Sequence, residues 1–419
     1  MIRISGEQAL NILQQLTRSE RQFMPRLATL SSWFDQHGDT LDQGLSIYFP
    51  APNSYTGEHT VELQGHGGPV LLCALLERLF QLGCKPAEPG EFTRRAVENG
   101  KMDLAQAEAV AACIDAATIR AGKQAQRQLQ GVFGAHIGEL MQQLTSLVAH
   151  VEATLDFPED EVPDLFFEQL EQKMQQQLIE PIQQMLDSAP LGERLFDGAT
   201  VAIIGAPNVG KSSLLNALSG RDRAIVSDIP GTTRDVLEVD FEVHGIPVRL
   251  ADTAGMRVSE DLIEQEGVRR AEQTAAQADA TIFVADASNP STWQARREAD
   301  IYLMNKVDLK HEPIPDSFIA VSAEDGSGLQ QLKDHLALIL GDTDIADESM
   351  LVTRERHRQS LADALASIQL GMLTLHSEDQ LEITAMRWRQ AWSALGGILG
   401  IGDVEHILDC VFAEFCIGK

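Results

Sequence analysis

Cysteine is scarce in this 419-residue sequence, and its five copies (Cys73, Cys84, Cys113, Cys410 and Cys416) form neither a C-x-x-C pair nor a metal-ligand spacing. Reduced thiols in a cytoplasmic compartment are the expectation that follows. No apolar run reaches the roughly 18 residues that a membrane span needs, so no membrane association is expected. The opening Met1-Ile-Arg-Ile-Ser-Gly lacks the apolar core of a secretory leader. Positive charge is the other shortage. Lys and Arg number 33 against 62 Asp and Glu, for a formal net charge of -29. Such a balance argues against a broad nucleic-acid-binding face. Any contact with RNA must use a local basic patch or a partner protein.

What is present is the pattern of a globular chain, 44% hydrophobic and long enough for two or three domains. One stretch organises it: Val201-Ala-Ile-Ile-Gly205-Ala-Pro-Asn-Val-Gly210-Lys211-Ser212-Ser213. Apolar β-formers run into a glycine loop with the spacing G-x-x-x-x-G-K-S, and a helical pattern follows at Leu214, Leu215, Ala217 and Leu218. The glycines let successive backbone N–H groups face a phosphate, and the helix N-terminus adds its positive end. Lys211 would then reach the β- and γ-phosphates and the Ser212 hydroxyl would bind Mg²⁺. The bland alternative is a glycine turn with a stray lysine, which the flanking strand and helix argue against.

Residues 1–100 read as mixed α/β. A short helix is expected over Glu7–Leu16, strands over Leu45–Phe49 and Thr60–Gln64, and a turn at Pro50–Ser54. Gly65-His66-Gly67-Gly68 leads into a helix opened by Pro69 and running through Leu82. On local sequence that loop reads more readily as a tight turn than as an anion site, and His66 as a hydrogen-bonded structural histidine. From Met102 to Leu155 proline is absent, and Phe133, Ile137, Leu140, Leu144, Leu147, Val151 and Leu155 share one helix face, the seam of a bundle. Phe157-Pro-Glu-Asp-Glu-Val-Pro-Asp reads as an acidic loop and Glu168–Leu186 as a Gln-rich helix. Ser188-Ala-Pro-Leu-Gly reads as a linker. Residues 198–342 alternate strands and helices, the pattern of a doubly wound, mostly parallel sheet. After Asp347 the chain is helical, with interruptions expected near Gly396-Gly397 and Gly400. The fold class is thus α/β and all-α multidomain, with the sheet domain inserted between helical segments that pack together.

Three further motifs follow the first: Gly231-Thr232-Thr233-Arg234-Asp235, Asp252-Thr253-Ala254-Gly255, and Asn305-Lys306-Val307-Asp308 with Ser322-Ala323 downstream. Asp308 can accept two hydrogen bonds from guanine N1–H and its exocyclic amine, a pairing adenine does not offer. Thr233 is placed to ligate Mg²⁺, Asp252 to hold it through water, and Gly255 to touch the γ-phosphate. The ordered set implies a GTPase. Small signalling GTPases place a water-orienting Gln after the third motif; here stands Met256, and no arginine finger is evident. Glu260, Asp261, Glu264 and Glu266 are candidates for orienting water, though each alone reads as part of a charged switch helix.

Several segments resemble one family closely: Ile2-Arg-Ile-Ser-Gly, Val61-Glu-Leu-Gln-Gly-His-Gly-Gly, Pro89-Gly-Glu-Phe-Thr-Arg-Arg-Ala, Lys101-Met-Asp-Leu-Ala-Gln-Ala-Glu-Ala, Gly231-Thr-Thr-Arg-Asp and the terminal Cys416-Ile-Gly-Lys419. The chain resembles the tRNA-modification GTPases of the MnmE (TrmE) family over essentially its whole length. The resemblance implies an N-terminal folate-binding and dimerisation domain (1–100), a helical domain in two parts (101–196 and 343–419), and an inserted P-loop GTPase domain (197–342). It also implies a homodimer that joins a flavin-dependent MnmG-type partner in a heterotetramer. Together they place a carboxymethylaminomethyl or aminomethyl group on the tRNA wobble uridine. The one-carbon unit would come from 5-formyltetrahydrofolate or methylenetetrahydrofolate.

The resemblance further implies activation by K⁺, with ligands from Asn208, Ser227, Ile229 and Thr232, which would supply the charge of a missing finger. It singles out Glu264 as the water-positioning acid. GTP contacts would come from Asn208, Val209, Gly210, Lys211, Ser212, Ser213, Ser227, Thr232, Thr233, Asp252, Thr253, Ala254, Gly255, Asn305, Lys306, Asp308, Ser322 and Ala323. Arg3, Glu62, Lys101 and Lys419 match its folate positions, a cation facing the glutamate tail being reasonable chemistry. Cys416 falls in the C-terminal motif, where a thiol role is conceivable. Two departures stand out. The family pattern has a further strand and Gly-rich turn before Ile2, not seen in this sequence, which bears on folate binding and the dimer contact. The stretch from Ala287 to Tyr302 looks short and is expected to trim a helix or loop. Two competing readings stay open: a ribosome-assembly GTPase acting as an RNA-binding switch, and a folate-dependent one-carbon enzyme with a regulatory GTPase.

Overall fold

The computed structural model describes residues 1–156, 164–219, 241–252, 277–295, 298–309, 313–341, 350–402, 407–408, 411–412 and 415. They fall into two compact units, Met1–Ala111 with Leu399–Lys419, and Ala112–Ile398.

The first unit runs through β1 (Ile2–Ser5), α1 (Ala9–Thr17), β2 (Thr29–Phe34), β3 (Thr40–Phe49), β4 (Thr60–Gln64), α2 (Pro69–Gln81), α3 (Glu91–Glu98) and the start of α4 (Leu104–Asp115). Its four strands form an antiparallel sheet in the order β1-β4-β3-β2. In β4, alternation sends Val61 and Leu63 into a core with Leu13, Leu16, Trp33, Leu75 and Leu79, and leaves Glu62 on the opposite face. Each such aliphatic side chain contributes about 1.5–3 kcal/mol on burial. Trp33 donates from its indole to Ser46 Oγ at 3.0 Å. Gly44 makes room for it: a Cβ there would lie 2.2 Å from the Gln64 carbonyl oxygen and 2.8 Å from the Trp33 ring. The strand expected over Leu45–Phe49 therefore reaches back to Thr40. Its first half is polar and Gly-containing, and it is extended because it pairs with β2, from Thr29↔Ser46 to Phe34↔Thr40.

The second unit opens with α5 (Ile119–Leu129), α6 (Val132–Asp156) and α7 (Asp164–Met174), then a π-helical turn at Gln175–Ile179 and α8 (Glu180–Asp197). The expected seam on α6 is there: Phe133, Ile137, Leu140, Leu144, Leu147 and Val151 are buried, and Leu155 at the last turn is half-buried. The linker expected at Ser188–Gly192 is not a linker. Those residues continue α8, with Pro190 inside it. Proline forfeits one backbone hydrogen bond there, and tertiary packing offsets the loss. Ile182, Met185, Ala189, Leu191 and Leu195 are buried, the Ser188 hydroxyl donates to Met185 O at 2.7 Å, and it accepts from Val352 N at 3.3 Å. At Gly192 the chain 350–353 passes so close that a Cβ would sit 2.1 Å from Val352 O.

The inserted segment supplies β5 (Ala199–Ile204), α9 (Lys211–Ser219), β6 (Phe241–Val243), β7 (Ile246–Asp252), β8 (Ala280–Asp286), β9 (Ile301–Asn305), β10 (Ile319–Ala320) and α10 (Leu329–Ile339). The sheet order is β10-β9-β8-β5-β7-β6, parallel throughout except for the β6–β7 hairpin. That hairpin turns on His244 and Gly245 (φ 48° and 87°), both left-handed as a tight two-residue turn requires. Its tip is tied to α5: Thr118, the N-cap of α5, donates to Gly245 O at 2.7 Å and Arg120 to His244 O at 2.8 Å. Among the described residues, the β8–β9 crossover carries no α-helix, only a 3₁₀ turn at Pro290–Thr292. Trp293 and the edge-to-face rings of Phe283, Tyr302 and Phe318 pack on that side of the sheet instead.

The chain then closes the bundle with α11 (Glu355–Met372) and α12 (Leu381–Leu399). The helices before and after the inserted sheet pack together, and Gln128 of α5 donates to Thr353 Oγ1 at 2.9 Å. The interruption expected at Gly396-Gly397 does not occur. Leu395 and Ile398 are buried on α12, and Arg356 donates to the Gly397 and Ile398 carbonyls at the helix end, both at 3.2 Å. The helix stops before Gly400 (φ 79°), as expected. Among the described residues no helix is long and apolar enough to cross a membrane.

The close pass at Gly192 makes a direct test. Gly192→Ala should lower unfolding free energy by about 1–3 kcal/mol, an overpacking cost, in urea denaturation. Unchanged stability would show that the 350–353 segment does not bear on α8.

Candidate nucleotide-binding site

The site assembles at the C-terminal edge of the parallel strands, the edge where such sheets bind ligands. β5 ends at Ile204 and the chain turns through 205–210 into α9. Gly205 and Gly210 are both held at positive φ (153° and 93°) and both face close neighbours. A Cβ on Gly205 would lie 2.3 Å from Val284 O, and one on Gly210 2.3 Å from Asn305 Nδ2. Val209 is buried in the sheet core and anchors the loop from below. Lys211 folds back across the loop and donates to the carbonyls of Gly205 (2.8 Å) and Ala206 (2.9 Å). Asn208, Ser212 and Ser213 are exposed, the serines on the first turn of α9. A hydroxyl there, beside a helix N-terminus, fits a hard cation with a phosphate.

The fourth motif is joined to that loop. Asn305, the last residue of β9, is 1% exposed. Its amide donates to Val209 O at 3.0 Å and accepts from Ala323 N at 3.2 Å, so one side chain links the phosphate loop to the Ser322-Ala323 turn. Ser322 is fully buried, and its hydroxyl accepts from Asp325 N at 3.3 Å. Lys306 (φ 63°) donates from Nζ to Asn208 O at 2.8 Å and to Asp286 Oδ2 at 2.6 Å. Asp308 lies in the 3₁₀ turn Val307–Leu309 and is exposed. Asp252 ends β7 in register with Ile203, next to the phosphate loop. Ser227, Ile229, Thr232, Thr233, Thr253, Ala254, Gly255, Met256, Glu260, Asp261, Glu264, Glu266, Cys416 and Lys419 lie outside the described residues.

Asp286 was not among the sequence-predicted residues. It ends β8, with its side chain 10% exposed, and takes Lys306 on one carboxylate oxygen and Ser288 on the other. Burial works against its charge, but the hydrogen bonds from Lys306 and Ser288 prevail and hold the carboxyl below the ordinary range. A legible signal existed: like Asp252, Asp286 is a carboxylate closing an apolar strand that heads for the ligand edge.

In the first unit, Arg3 and Glu62 face each other across β1 and β4, with Nε and Nη2 of Arg3 at 3.0 and 2.8 Å from Glu62 Oε1. The Arg3 guanidinium also lies 5.3 Å from the Tyr55 ring centroid and 5.7 Å from that of Phe92. Lys101 passes the Gly57 turn, where a Cβ would meet its Cγ at 3.3 Å. Arg3 is thus a paired cation, not a lone one, and Tyr55 and Phe92 were missed because nothing in their local sequence points to Arg3. His66 is 73% exposed and bonds through Nδ1 to Asp42 at 2.6 Å, the structural role expected for it.

Residues 1–101 match the family model described as GTP-binding protein TrmE N-terminus, and residues 104–416 match the MnmE helical domain. A Parvibaculum lavamentivorans protein named tRNA modification GTPase MnmE is 45% identical over 424 residues, covering 100% of this chain and 96% of its own. The chain belongs to the MnmE family. Proteins of the same name from Xylella fastidiosa (Temecula1) and Aquifex aeolicus are 43% and 40% identical, covering 100% of this chain and 94% and 96% of theirs. Membership over the whole length agrees with the end segments that first carried the resemblance.

Two outcomes follow from the geometry. Gly210→Ala should abolish measurable GTP binding, since the new Cβ would strike Asn305 Nδ2 at a backbone angle alanine resists; wild-type affinity in equilibrium dialysis would contradict the packing described. Asp286, with its folded pKa below the unfolded value, stabilises the fold above the unfolded pKa of about 3.9. The stability gap between wild type and Asp286→Asn should be full at pH 7 and shrink as pH falls through the lower, folded value. Denaturant midpoints taken from pH 7 to pH 2.5 give the check.

Proposed function

We propose that this protein is a GTPase of tRNA modification whose hydrolysis is stimulated by K⁺ and coupled to a folate-dependent one-carbon transfer. The single observation that carries the GTP site is the joining of the phosphate loop to the base-reading motif through Asn305 and Lys306. Ser212 and Thr233, with Asp252 through water, would hold Mg²⁺; Asn208, Ser227, Ile229 and Thr232 would hold K⁺. Bound there, a monovalent cation supplies the positive charge that an arginine finger supplies elsewhere. Asn208 is exposed on the loop, and its own backbone is held by Lys306, which suits a ligand that must keep one orientation. Val209, Gly210, Lys211, Ser213, Thr253, Ala254 and Gly255 would contact the phosphates, and Lys306, Asp308, Ser322 and Ala323 the nucleoside. Glu264 would orient the attacking water.

The folate reading uses Arg3, Glu62, Lys101 and Lys419. With Arg3 bound to Glu62, the pair offers a tetrahydrofolate both a cation and a carboxylate acceptor rather than charge alone. The names of the relatives support action on tRNA, and the acidic chain supports access to tRNA through a partner, of the flavin-dependent MnmG type. Homodimerisation through the first unit, a cytoplasmic location, thiol chemistry at Cys416, and domain divisions after residues 100, 196 and 342 belong to the same proposal.

Steady-state GTP hydrolysis in KCl and in NaCl at matched ionic strength is the test, with Asn208→Ala beside the wild type. Stimulation by K⁺ that vanishes in the variant is expected. Equal rates in the two salts would remove the cation from the mechanism and leave the GTPase standing.

A further inference from the structure

The consecutive side chains Asn305 and Lys306 grip consecutive carbonyls of the phosphate loop, Val209 O at 3.0 Å and Asn208 O at 2.8 Å. The two grips differ in kind. Asn305 is buried and its amide is engaged at both ends, so its rotamer is fixed by its own contacts. Lys306 is a flexible amine that remains partly exposed, and an ammonium so placed swings toward water unless something holds it. Asp286 is that something. Its Oδ2 takes Lys306 Nζ at 2.6 Å. Its Oδ1 is occupied by Ser288 N at 2.9 Å and Ser288 Oγ at 2.6 Å, which keeps the carboxylate from rotating. Its backbone is pinned as well: its N–H donates to Thr292 Oγ1 at 2.9 Å and its carbonyl accepts from Trp293 Nε1 at 2.8 Å.

Lys306 and Asn208 both adopt φ of 63°, a conformation that non-glycine residues reach at a cost, and the Lys306–Asn208 bond joins them. We propose that Asp286 is a positioning residue for guanine-nucleotide binding. It orients Lys306, and through Lys306 it sets the Asn208 carbonyl and the curvature of the phosphate loop before nucleotide arrives. This rests on the GTP-binding reading and adds to it a residue outside the four motifs. Asp286 touches no nucleotide in this scheme. Its effect is on the affinity of a pre-shaped loop, so it should appear in binding and not in the chemical step.

The test is a double-mutant cycle of Asp286→Asn and Lys306→Ala in the full chain, read by KM and kcat for GTP hydrolysis and by dissociation constants for GTP and GDP. Asp286→Asn should raise KM and both dissociation constants about ten-fold, with kcat at saturation within about two-fold of wild type. The double variant should lose little more than Lys306→Ala alone, because the aspartate acts only through the lysine. A purely structural role would lower the melting midpoint without this non-additivity. Native affinities in Asp286→Asn, or losses that simply add in the double variant, would overturn the proposal. If Asp286→Asn does not fold by circular dichroism, Ser288→Ala replaces it: removing the hydroxyl bond to Oδ1, with only the residue-288 N–H left to hold it, should raise KM about two- to three-fold, and an unchanged KM would overturn the proposal just as well. Failure of the wild-type chain to bind GTP would instead remove the GTP-binding reading itself.

Discussion

The nucleotide edge depends on one carboxamide. Asn305 ends β9, and its two polar atoms serve two different loops, the phosphate loop through Val209 O and the Ser322-Ala323 turn through Ala323 N. A buried amide satisfied at both ends is fixed, because each bond it gave up would leave a polar group stranded away from water, at about 1–3 kcal/mol. Three segments far apart in sequence thereby share one reference point. The glycine at 210 follows from it, since the amide occupies the space where a side chain would project. The motif is commonly read as a reader of guanine; in this protein its first residue is also the rivet of the glycine loop at 205–210.

What could be read in advance divides along a physical line. The phosphate loop, the seam of α6 and the doubly wound sheet were legible because their signals are local: glycines where the backbone must bend unusually, apolar residues at helical spacing, apolar runs that end at a turn. The features that escaped are those decided by distant partners. Ser188-Ala-Pro-Leu-Gly has the composition of a break, yet it stays helical because Val352 and Met350 lie against it. β2 is polar in its middle and is a strand because β3 pairs with it. Arg3 looks like a free cation until Glu62 is found opposite, four strand positions' worth of register fixing the match. Asp286 was passed over for the same reason, since an aspartate at a strand end acquires meaning only when Lys306 is found beside it.

The β8–β9 crossover, which carries no α-helix among its described residues, shows side chains covering a sheet face. A parallel connection usually brings a helix to cover the strands it joins. Among the described residues an indole and three rings take that place, with Trp293 anchored to the carbonyl of Asp286. Cover and site are therefore built from the same residues.

The hairpin tip at His244-Gly245 has a mechanical meaning. β7 is held at its start by Thr118 and Arg120 of the helical segment and carries Asp252 at its other end. A strand is stiff along its length, since extending or shortening it means breaking several ladder bonds at once. β7 is consequently a strut: one seven-residue strand spans from the hairpin tip bonded to the N-cap of α5 to the strand end at Asp252, with no loop between them.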